Sequence, residues 1–434
     1  MYRQNPFVFT FSKNGINALY NSLTLSTVYM KDSKYEQIKE NPTKELIDND
    51  FFVNVEFDSF GYLKKFKELN YQKSQIHIAY FLVTSRCNFN CKYCFVKSRF
   101  KNEENSFMDK ETAKKAVSLL TRNTDKVKII FYGGEPLLNF DIIKFVVEET
   151  KRQGLKAQYS IISNGGIIND EIIELWKNNN FSISISLDGL EENNDKVRVK
   201  NNDSGTFVEI IRTIERLKEN DIKFGISCTV STGNISVPDE ILEILNKYKI
   251  KRLGYNLLSE NENISLSKDE NILMVKNILI AEDVILENGI MEDKIIRRKL
   301  IPFIEKKNWT RDCAGYGKQV IITPKGEVGT CHGLWPDFVN KETKTYFDID
   351  VDYLGDISKH PTWMEWNERL PMNMPQCWNC FGLGICGGGC AKNSLLRKGS
   401  IWEVDEDICN LTKEAVPWVV WKYYDIKIKN QNSY

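Results

Sequence analysis

The sequence predicts an α/β fold with a parallel sheet, preceded by a small N-terminal α+β unit and followed by a cysteine-rich region. Three observations predict it. Apolar, strand-like runs alternate six times with helical patterns between residues 75 and 301, as in a barrel or part of one. Residues 1–72 contain a separate mixture of short alternating runs and an acidic amphipathic stretch. Seven of the 11 cysteines fall between Cys313 and Cys409, where long helical patterns are few.

Composition excludes several classes of protein. The 434 residues include 59 basic and 59 acidic side chains, and this balance argues against a general nucleic-acid binder. No apolar run reaches the roughly 18–20 residues that a membrane-spanning helix needs. The N-terminus lacks the basic-then-apolar plan of a signal peptide. We therefore expect a soluble cytoplasmic protein with neither a membrane nor a nucleic acid as partner.

The six repeats can be read element by element. The predicted strands are 77–84, 127–134, 157–164, 181–188, 223–230 and 252–259. On the fourth strand, alternate serines and Asp188 share one face while aliphatic residues occupy the other, which predicts one face under helices and one lining a polar cavity. Cys228, on the apolar face of the fifth strand, is predicted to be a buried structural thiol. Reactive groups are expected at the carboxyl ends of the strands.

Three cysteines follow the first strand with the spacing C-x3-C-x2-C, namely Cys87, Cys91 and Cys94. An odd number of cysteines in a long cytoplasmic chain makes a disulfide framework a poor interpretation. Three thiolates need a fourth ligand to complete a structural zinc site. They can also hold three irons of a [4Fe–4S] cluster and leave the fourth open to a small chelating molecule. Zinc remains the alternative.

This constellation resembles that of the radical S-adenosylmethionine (SAM) enzymes. Further motifs of that family end the next strands in order, at Gly133, Gly134, Glu135 and Pro136, at Ser163 and Asn164, and at Ser186 and Asp188. The resemblance implies that Glu135 accepts hydrogen bonds from the methionine amino group and that Arg198 pairs with its carboxylate. It also implies a partial (β/α)6 TIM-type barrel over residues 73–305.

The later cysteines resemble the seven-cysteine SPASM region of radical enzymes that act on peptides and proteins. They are Cys313, Cys331, Cys377, Cys380, Cys386, Cys390 and Cys409. The resemblance implies two auxiliary [4Fe–4S] clusters over residues 306–434, the first held by Cys313, Cys331 and Cys390 and the second by the other four. A zinc ribbon is the alternative, although the spacing fits it poorly.

One ligand is missing from this assignment. Three [4Fe–4S] clusters contain about 12 irons, each needing a terminal ligand. Ten cysteines and one SAM leave one iron of the first auxiliary cluster without a ligand. Water, His332, a remote residue and a substrate thiolate are the candidates. Anaerobic sulfatase maturases usually carry an aspartate at the position of His332. This difference argues against the interpretation of the chain as a sulfatase maturase.

The closing stretch from Gly384 to Cys409 resembles enzymes that crosslink ribosomally made precursor peptides. The resemblance implies an oxidative intramolecular crosslink, with a cysteine thioether as the leading product, and a flavodoxin or ferredoxin as reductant. Formylglycine formation on a sulfatase and a carbon–carbon cyclophane are the alternatives. The N-terminal unit, residues 1–72, is expected to recognise the precursor. Two functions from other classes of protein remain open: an electron-transfer protein of ferredoxin type and a binding module stabilised by zinc.

Overall fold

The N-terminal unit is a small α+β structure, as predicted. The computed structural model describes residues 1–96, 106–231, 237–257, 267–335, 346–348 and 355–431. The first elements are β1 (Tyr2–Gln4), β2 (Val8–Lys13), β3 (Ile16–Asn21), β4 (Thr27–Lys31), α1 (Asp32–Glu40), α2 (Lys44–Asp48), β5 (Phe52–Asn54) and α3 (Ser59–Asn70). Strands β2, β3 and β4 form an antiparallel sheet, and β1 pairs with β5. The Asp58 carboxylate caps α3 by accepting from the Gly61 amide.

The central elements alternate strand and helix. They are β6 (Ile78–Thr84), α4 (Lys110–Asn123), β7 (Lys126–Gly133), α5 (Phe140–Arg152), β8 (Lys156–Ser163), α6 (Asp170–Asn178), β9 (Ser182–Ser186), α7 (Glu191–Val197), α8 (Phe207–Glu219), β10 (Phe224–Val230), α9 (Val237–Lys247), β11 (Arg252–Leu257), α10 (Lys268–Glu287) and β12 (Met291–Glu292). Neighbouring strands from β6 to β12 pair in parallel and in chain order. All six predicted strands are confirmed within two residues, except that 258–259 lie outside the described residues.

The strand faces follow the predicted alternation. Along β9 the serines are half-buried and the isoleucines Ile183 and Ile185 are buried. The isoleucines join the large apolar core between the sheet and its helices. Cys228 lies fully buried in that core, which confirms its placement. The opposite, more polar face of the sheet is left for the site.

The cysteine-rich region extends the same sheet. After a π-helical segment (Asp293–Leu300) come α11 (Ile301–Glu305), β13 (Gln319–Ile322), β14 (Glu327–Gly329), β15 (Tyr346–Asp348), α12 (Pro361–Glu368), α13 (Ala391–Lys398) and α14 (Glu406–Gln431). Strand β13 pairs in parallel with β6, and β14 and β15 follow antiparallel. The sheet therefore has ten strands with β12 and β15 at its ends, and it crosses the predicted boundary at residue 305.

The N-terminal unit packs on the C-terminal region. Phe11 meets Phe381 edge-on at 5.5 Å between ring centroids, and Tyr20 lies 5.6 Å from Phe303. The backbone of Gly384 donates to the carbonyl of Ser22 at 2.8 Å. The predicted division into 1–72, 73–305 and 306–434 stays a prediction, but the outer two parts share an apolar core. In the described ranges, every helix is too short or too polar to cross a membrane.

Candidate cofactor site and cysteine clusters

The first three cysteines lie on the loop that leaves the carboxyl end of β6. Two backbone hydrogen bonds fix this loop to the segment after α7, from Asn90 to Val199 at 2.6 Å and from Lys92 to Val197 at 2.9 Å. Polar groups point at the sulfur atoms. The Phe89 amide lies 3.4 Å from Cys87 Sγ. A thiol held in this way accepts hydrogen bonds that also stabilise a thiolate.

Burial governs the protonation of Cys87 and Cys91. It raises the pKa of Cys87 to about 12, with Glu135 as the next cause, and it raises the pKa of Cys91 to about 11. The charges of neighbouring thiols add to both rises, which places Cys87, Cys91 and Cys94 within electrostatic reach of one another. Cys87 and Cys91 therefore keep their protons at neutral pH unless a metal cation replaces them.

The turn after β7 packs against the base of that loop. Gly134 donates to the Thr84 carbonyl and Glu135 donates to the Arg86 carbonyl, both at 2.8 Å. A Cβ on Gly134 would lie 2.1 Å from the Arg86 oxygen, so only glycine fits there. Gly133 has φ +138°, a conformation that side chains disfavour. The two glycines thus allow the β7 turn to touch the strand end that precedes Cys87.

Glu135 is a fully buried carboxylate among hydrogen-bond donors. It accepts from the Asn164 amide at 2.7 Å, from the Ser163 hydroxyl at 3.0 Å and from the Leu137 amide at 3.1 Å. Burial raises the pKa of Glu135 to about 7, against the lowering effect of these bonds. Asn164 Nδ2 in turn lies 3.4 Å from Cys87 Sγ. Four predicted residues therefore form one connected group: Gly134, Glu135, Ser163 and Asn164.

Asp188 and Arg198 pair with each other in the structure. Arg198 Nη2 lies 3.1 Å from Asp188 Oδ2, and both side chains are buried. The Tyr93 hydroxyl donates to the same Oδ2 at 2.5 Å and accepts from Arg198. Arg198 Nη1 points at Cys91 Sγ, 3.7 Å away. Ser186 is half-buried at the end of β9, and Pro136 opens a short turn of 3₁₀ helix.

Sequence reasoning missed the role of Tyr93. No partner for its hydroxyl was expected from the motif of three cysteines. The structure joins this hydroxyl to both members of the Asp188–Arg198 pair. The available signal was the amphipathic nature of tyrosine, whose hydroxyl finds a polar partner when the ring is buried.

The other seven site cysteines separate into two sets. Burial raises the pKa of Cys313 to about 12 and also raises the pKa of Cys390. The charge of Cys331 adds to both rises, so these three cysteines lie within electrostatic reach of one another. Burial raises the pKa of Cys377 and of Cys409 to about 12, and Cys380 and Cys386 contribute to both. The two sets contain the same residues that the SPASM resemblance implies.

The donor chemistry of the three sets fits iron–sulfur clusters. None of the 11 cysteines forms a disulfide, and each lies in a described part of the chain. Among the described residues, no group of three or more His, Cys, Asp or Glu side chains converges on a point suited to one metal ion. A cluster binds each thiolate to a different iron, so its thiolates surround a larger volume.

His332 lies beside Cys331, against the barrel. Its ring stacks on Tyr80 at 4.7 Å between centroids and meets Tyr132 edge-on at 5.2 Å. Burial lowers the pKa of His332 to about 4, with the charge of Lys392 as second cause. Its Nδ1 is buried without a hydrogen-bond partner among the described residues. The charges of both Cys94 and Cys331 act on the pKa of Tyr132, so this ring lies within electrostatic reach of the first cysteine set and of the Cys313 set.

Comparison with known proteins defines the class. The fold is an α/β domain that presents three thiols at the carboxyl end of a parallel sheet, and residues 81–247 match the radical SAM superfamily. The chain thus contains a radical SAM domain and is a radical SAM enzyme. Members of this superfamily use SAM together with a [4Fe–4S] cluster.

Relatives extend beyond that domain. The radical SAM cyclopropyl synthase TigE of Paramaledivibacter caminithermalis is 26% identical over 427 residues, covering 92% of this chain and 86% of TigE. A cysteine-type anaerobic sulfatase-maturating enzyme of Clostridium novyi is 28% identical over 180 residues, covering 40% of this chain and 48% of that protein.

Solved structures share the fold. The structure of anSMEcpe with bound AdoMet has a TM-score of 0.68 at 20% identity and covers 81% of this chain and 99% of its own. Streptococcus suis SuiB bound to its precursor peptide SuiA has a TM-score of 0.59 at 15% identity, covering 94% of this chain and 100% of its own. The predicted α/β fold with a partial barrel agrees with these neighbours.

Proposed function

We propose that this protein is a radical SAM peptide maturase that oxidises a ribosomally made precursor peptide and closes a new intramolecular bond. One observation carries the proposal. A single sheet presents three thiols beside Glu135 and continues into a region whose seven other thiols form two further sets. Further support comes from similarity to TigE along most of the chain and from a fold shared with SuiB.

In this proposal the first set, Cys87, Cys91 and Cys94, holds the cluster that binds SAM. When bound, this cluster and SAM supply a 5′-deoxyadenosyl radical, which removes a hydrogen atom from a peptide carbon. Glu135, a buried carboxylate next to the set, is the acceptor for the methionine amino group, as the family resemblance implies. The two glycines and Pro136 shape its turn, Ser163 and Asn164 donate to its carboxylate, and Ser186 ends the neighbouring strand β9.

Arg198 binds the methionine carboxylate without releasing Asp188. Its Nε and Nη2 are occupied by Asp188 and Tyr93, whereas Nη1 has only the weak contact to Cys91 Sγ. A rigid guanidinium can therefore bind two anions on different edges of its plane. Asp188 sets the orientation of that plane, and Tyr93 fixes Asp188.

The two later sets hold auxiliary [4Fe–4S] clusters in this proposal, so the loaded protein contains about 12 irons. Cys313, Cys331 and Cys390 serve one cluster, and Cys377, Cys380, Cys386 and Cys409 serve the other. Such a protein needs an external one-electron donor such as flavodoxin or ferredoxin, and we place it in the cytoplasm.

Two products compete. A cysteine thioether follows from the resemblance of the closing stretch, and a carbon–carbon ring is favoured by similarity to a cyclopropyl synthase over 92% of the chain. Both remove two hydrogens from the peptide. Formylglycine formation on a sulfatase is the alternative, and His332, which stands where such maturases usually carry an aspartate, argues against it.

Anaerobic coexpression with a precursor encoded by a neighbouring reading frame tests the function. We expect a mass loss of about 2 Da per modification, as for an oxidation that only removes two hydrogens, and no loss with the Cys87→Ala/Cys91→Ala/Cys94→Ala variant, which should also lack about a third of the iron. Iodoacetamide labelling separates the products, because a thioether removes a free thiol and a carbon–carbon ring does not. Turnover of SAM by the triple variant would refute the cluster assignment.

Recognition of the precursor by residues 1–72 remains part of the proposal. Deleting the unit would expose the core it shares with Phe303 and Phe381, so a deletion would confuse binding with folding. A photocrosslinker on the precursor's leader avoids this problem. We expect crosslinks to β2 or β4, the outer strands of the small sheet; crosslinks confined to residues 73–431 would contradict this role.

A further inference from the structure

Arg369 is a fully buried cation that has only neutral partners. Its side chain is 0% exposed and follows α12. It donates to the carbonyls of Gly388 (2.7 Å), Gly389 (3.3 Å), Glu403 (2.9 Å) and Ile401 and to the hydroxyls of Tyr316 (2.8 Å) and Ser394 (3.2 Å). A guanidinium stays charged in proteins, so its burial without a nearby anion is costly.

Lys299 is a second cation of this kind. It lies on the π-helical segment, is 1% exposed, and donates to the carbonyls of Ile385 at 3.1 Å and Cys386 at 3.4 Å. Among the described residues, neither Lys299 nor Arg369 has a carboxylate within ion-pair distance. Two positive charges are thus held inside the protein by carbonyl and hydroxyl dipoles.

A buried carboxylate, Asp312, lies in the field of these two cations. Lys294 and Arg298 act on it together with Lys299 and Arg369. Arg298 pairs with it at 3.5 Å and with Asp293 at 2.7 Å. Arg298 is therefore the ion-pair partner of both carboxylates, whereas Lys299 and Arg369 act on Asp312 through their fields.

Both cations hold the loop that joins the two later cysteine sets. Lys299 binds the carbonyl of Cys386, and Arg369 binds the carbonyls of Gly388 and Gly389, which precede Cys390. The charge of Arg369 also acts against the rise in the pKa of Cys377, which burial brings to about 12. Lys299 thus contacts the backbone of a cysteine in one set, and Arg369 contacts the backbone just before a cysteine of the other set.

We propose that Lys299 and Arg369 are the counter-cations of the two auxiliary clusters and hold their reduction potentials high. The inference rests on the proposed function, which supplies the clusters. A cluster bound by thiolates gains a further negative charge when it is reduced, and a fixed cation in a medium of low dielectric constant favours that state. The two residues thus make the clusters better acceptors for the electron left on the oxidised peptide. Lys299 and Arg369 act through the clusters and need not touch the substrate.

The test uses protein that lacks Cys87, Cys91 and Cys94, so that only auxiliary clusters contribute to the signal. Midpoint potentials are measured by redox titration followed by electron paramagnetic resonance, with iron content determined first. Lys299→Met keeps the length of the side chain and removes the charge; we expect at least one midpoint to fall. Arg369→Met should lower a midpoint as well, whereas Arg369→Lys should stay closer to the parent.

Arg297→Met is the matched control, because Arg297 lies on the same segment but its side chain is 61% exposed and therefore screened by water. Unchanged midpoints in Lys299→Met and Arg369→Met at full iron content would overturn the inference and leave the proposed function intact. Absence of auxiliary iron from the parent would instead overturn the proposed function. If Lys299→Met binds less iron, Lys299→Arg, which keeps the positive charge, must restore the iron content. Failure to restore it would also overturn the inference.

Discussion

Replacement of Gly134 by alanine tests the contact between the β7 turn and the cysteine loop. The new Cβ would lie 2.1 Å from the oxygen and 2.5 Å from the carbon of the Arg86 carbonyl. Both atoms belong to the backbone, so no side chain can rotate away. The turn and the strand end before Cys87 must separate, and the 2.8 Å hydrogen bonds from Gly134 to Thr84 and from Glu135 to Arg86 must stretch or break.

The cost follows from these contacts. Two backbone hydrogen bonds at ~1 kcal/mol each and about 1–3 kcal/mol for overpacking give a loss of about 3–5 kcal/mol in the free energy of unfolding. The displacement also moves Glu135 away from Ser163 and Asn164. SAM binding should therefore weaken together with stability.

Urea unfolding and equilibrium dialysis with labelled SAM, both on anaerobically reconstituted protein, measure the two effects. Gly254→Ala is the steric control, since its Cβ would have one neighbour, the Ile226 oxygen at 4.0 Å, and no left-handed backbone. We expect the control to match wild type in both assays. A Gly134→Ala protein with wild-type stability and SAM affinity would refute the close contact on which the reasoning depends.

Three further predictions concern single side chains. Burial raises the pKa of Glu135 from 4.5 to about 7, so the folded protein retains a proton that the unfolded chain releases. Stability should therefore fall as pH rises from about 4.5 to 7, and Glu135→Gln should abolish that part of the plot of urea midpoint against pH. Parallel plots for wild type and Glu135→Gln would contradict the prediction. Cys228→Ser places a hydroxyl in an apolar core, so iron content should stay at the wild-type value by colorimetric assay while the free energy of unfolding drops by about 1–3 kcal/mol. Tyr93→Phe removes the donor to Asp188, so SAM affinity by dialysis should fall about tenfold, equivalent to ~1.4 kcal/mol, at unchanged iron content; undiminished affinity would count against a positioning role.

The sequence predicted the strands well because their patterns are local. Alternate serines on β9 and the apolar runs before each motif depend only on period-two geometry, and the structure repeats them. The grouping of the cysteines could be predicted because their spacing resembles a known region. In both cases the information lies within short stretches of chain.

The missed features depend on contacts between distant segments. Strand β13, Gln319–Ile322, contains only three apolar residues in a row, and no local pattern predicts that it pairs with β6 on the side opposite to β7. Lys299 and Arg369 are residue types that normally lie at the surface. Their burial results from the loop between Cys386 and Cys390, whose carbonyls receive them only in the folded protein.

The pairing of β13 with β6 has a mechanical consequence. The strand that leads to Cys87 and the strand between Cys313 and Cys331 are neighbours in one ladder, with Gln319 opposite Ile78 and Ile322 opposite Phe81. The separation between these thiol sets is therefore set by strand spacing and does not vary with a hinge. A substrate of the proposed kind therefore cannot reach the thiols by parting β6 from β13, because that would break the hydrogen bonds of a continuous ladder.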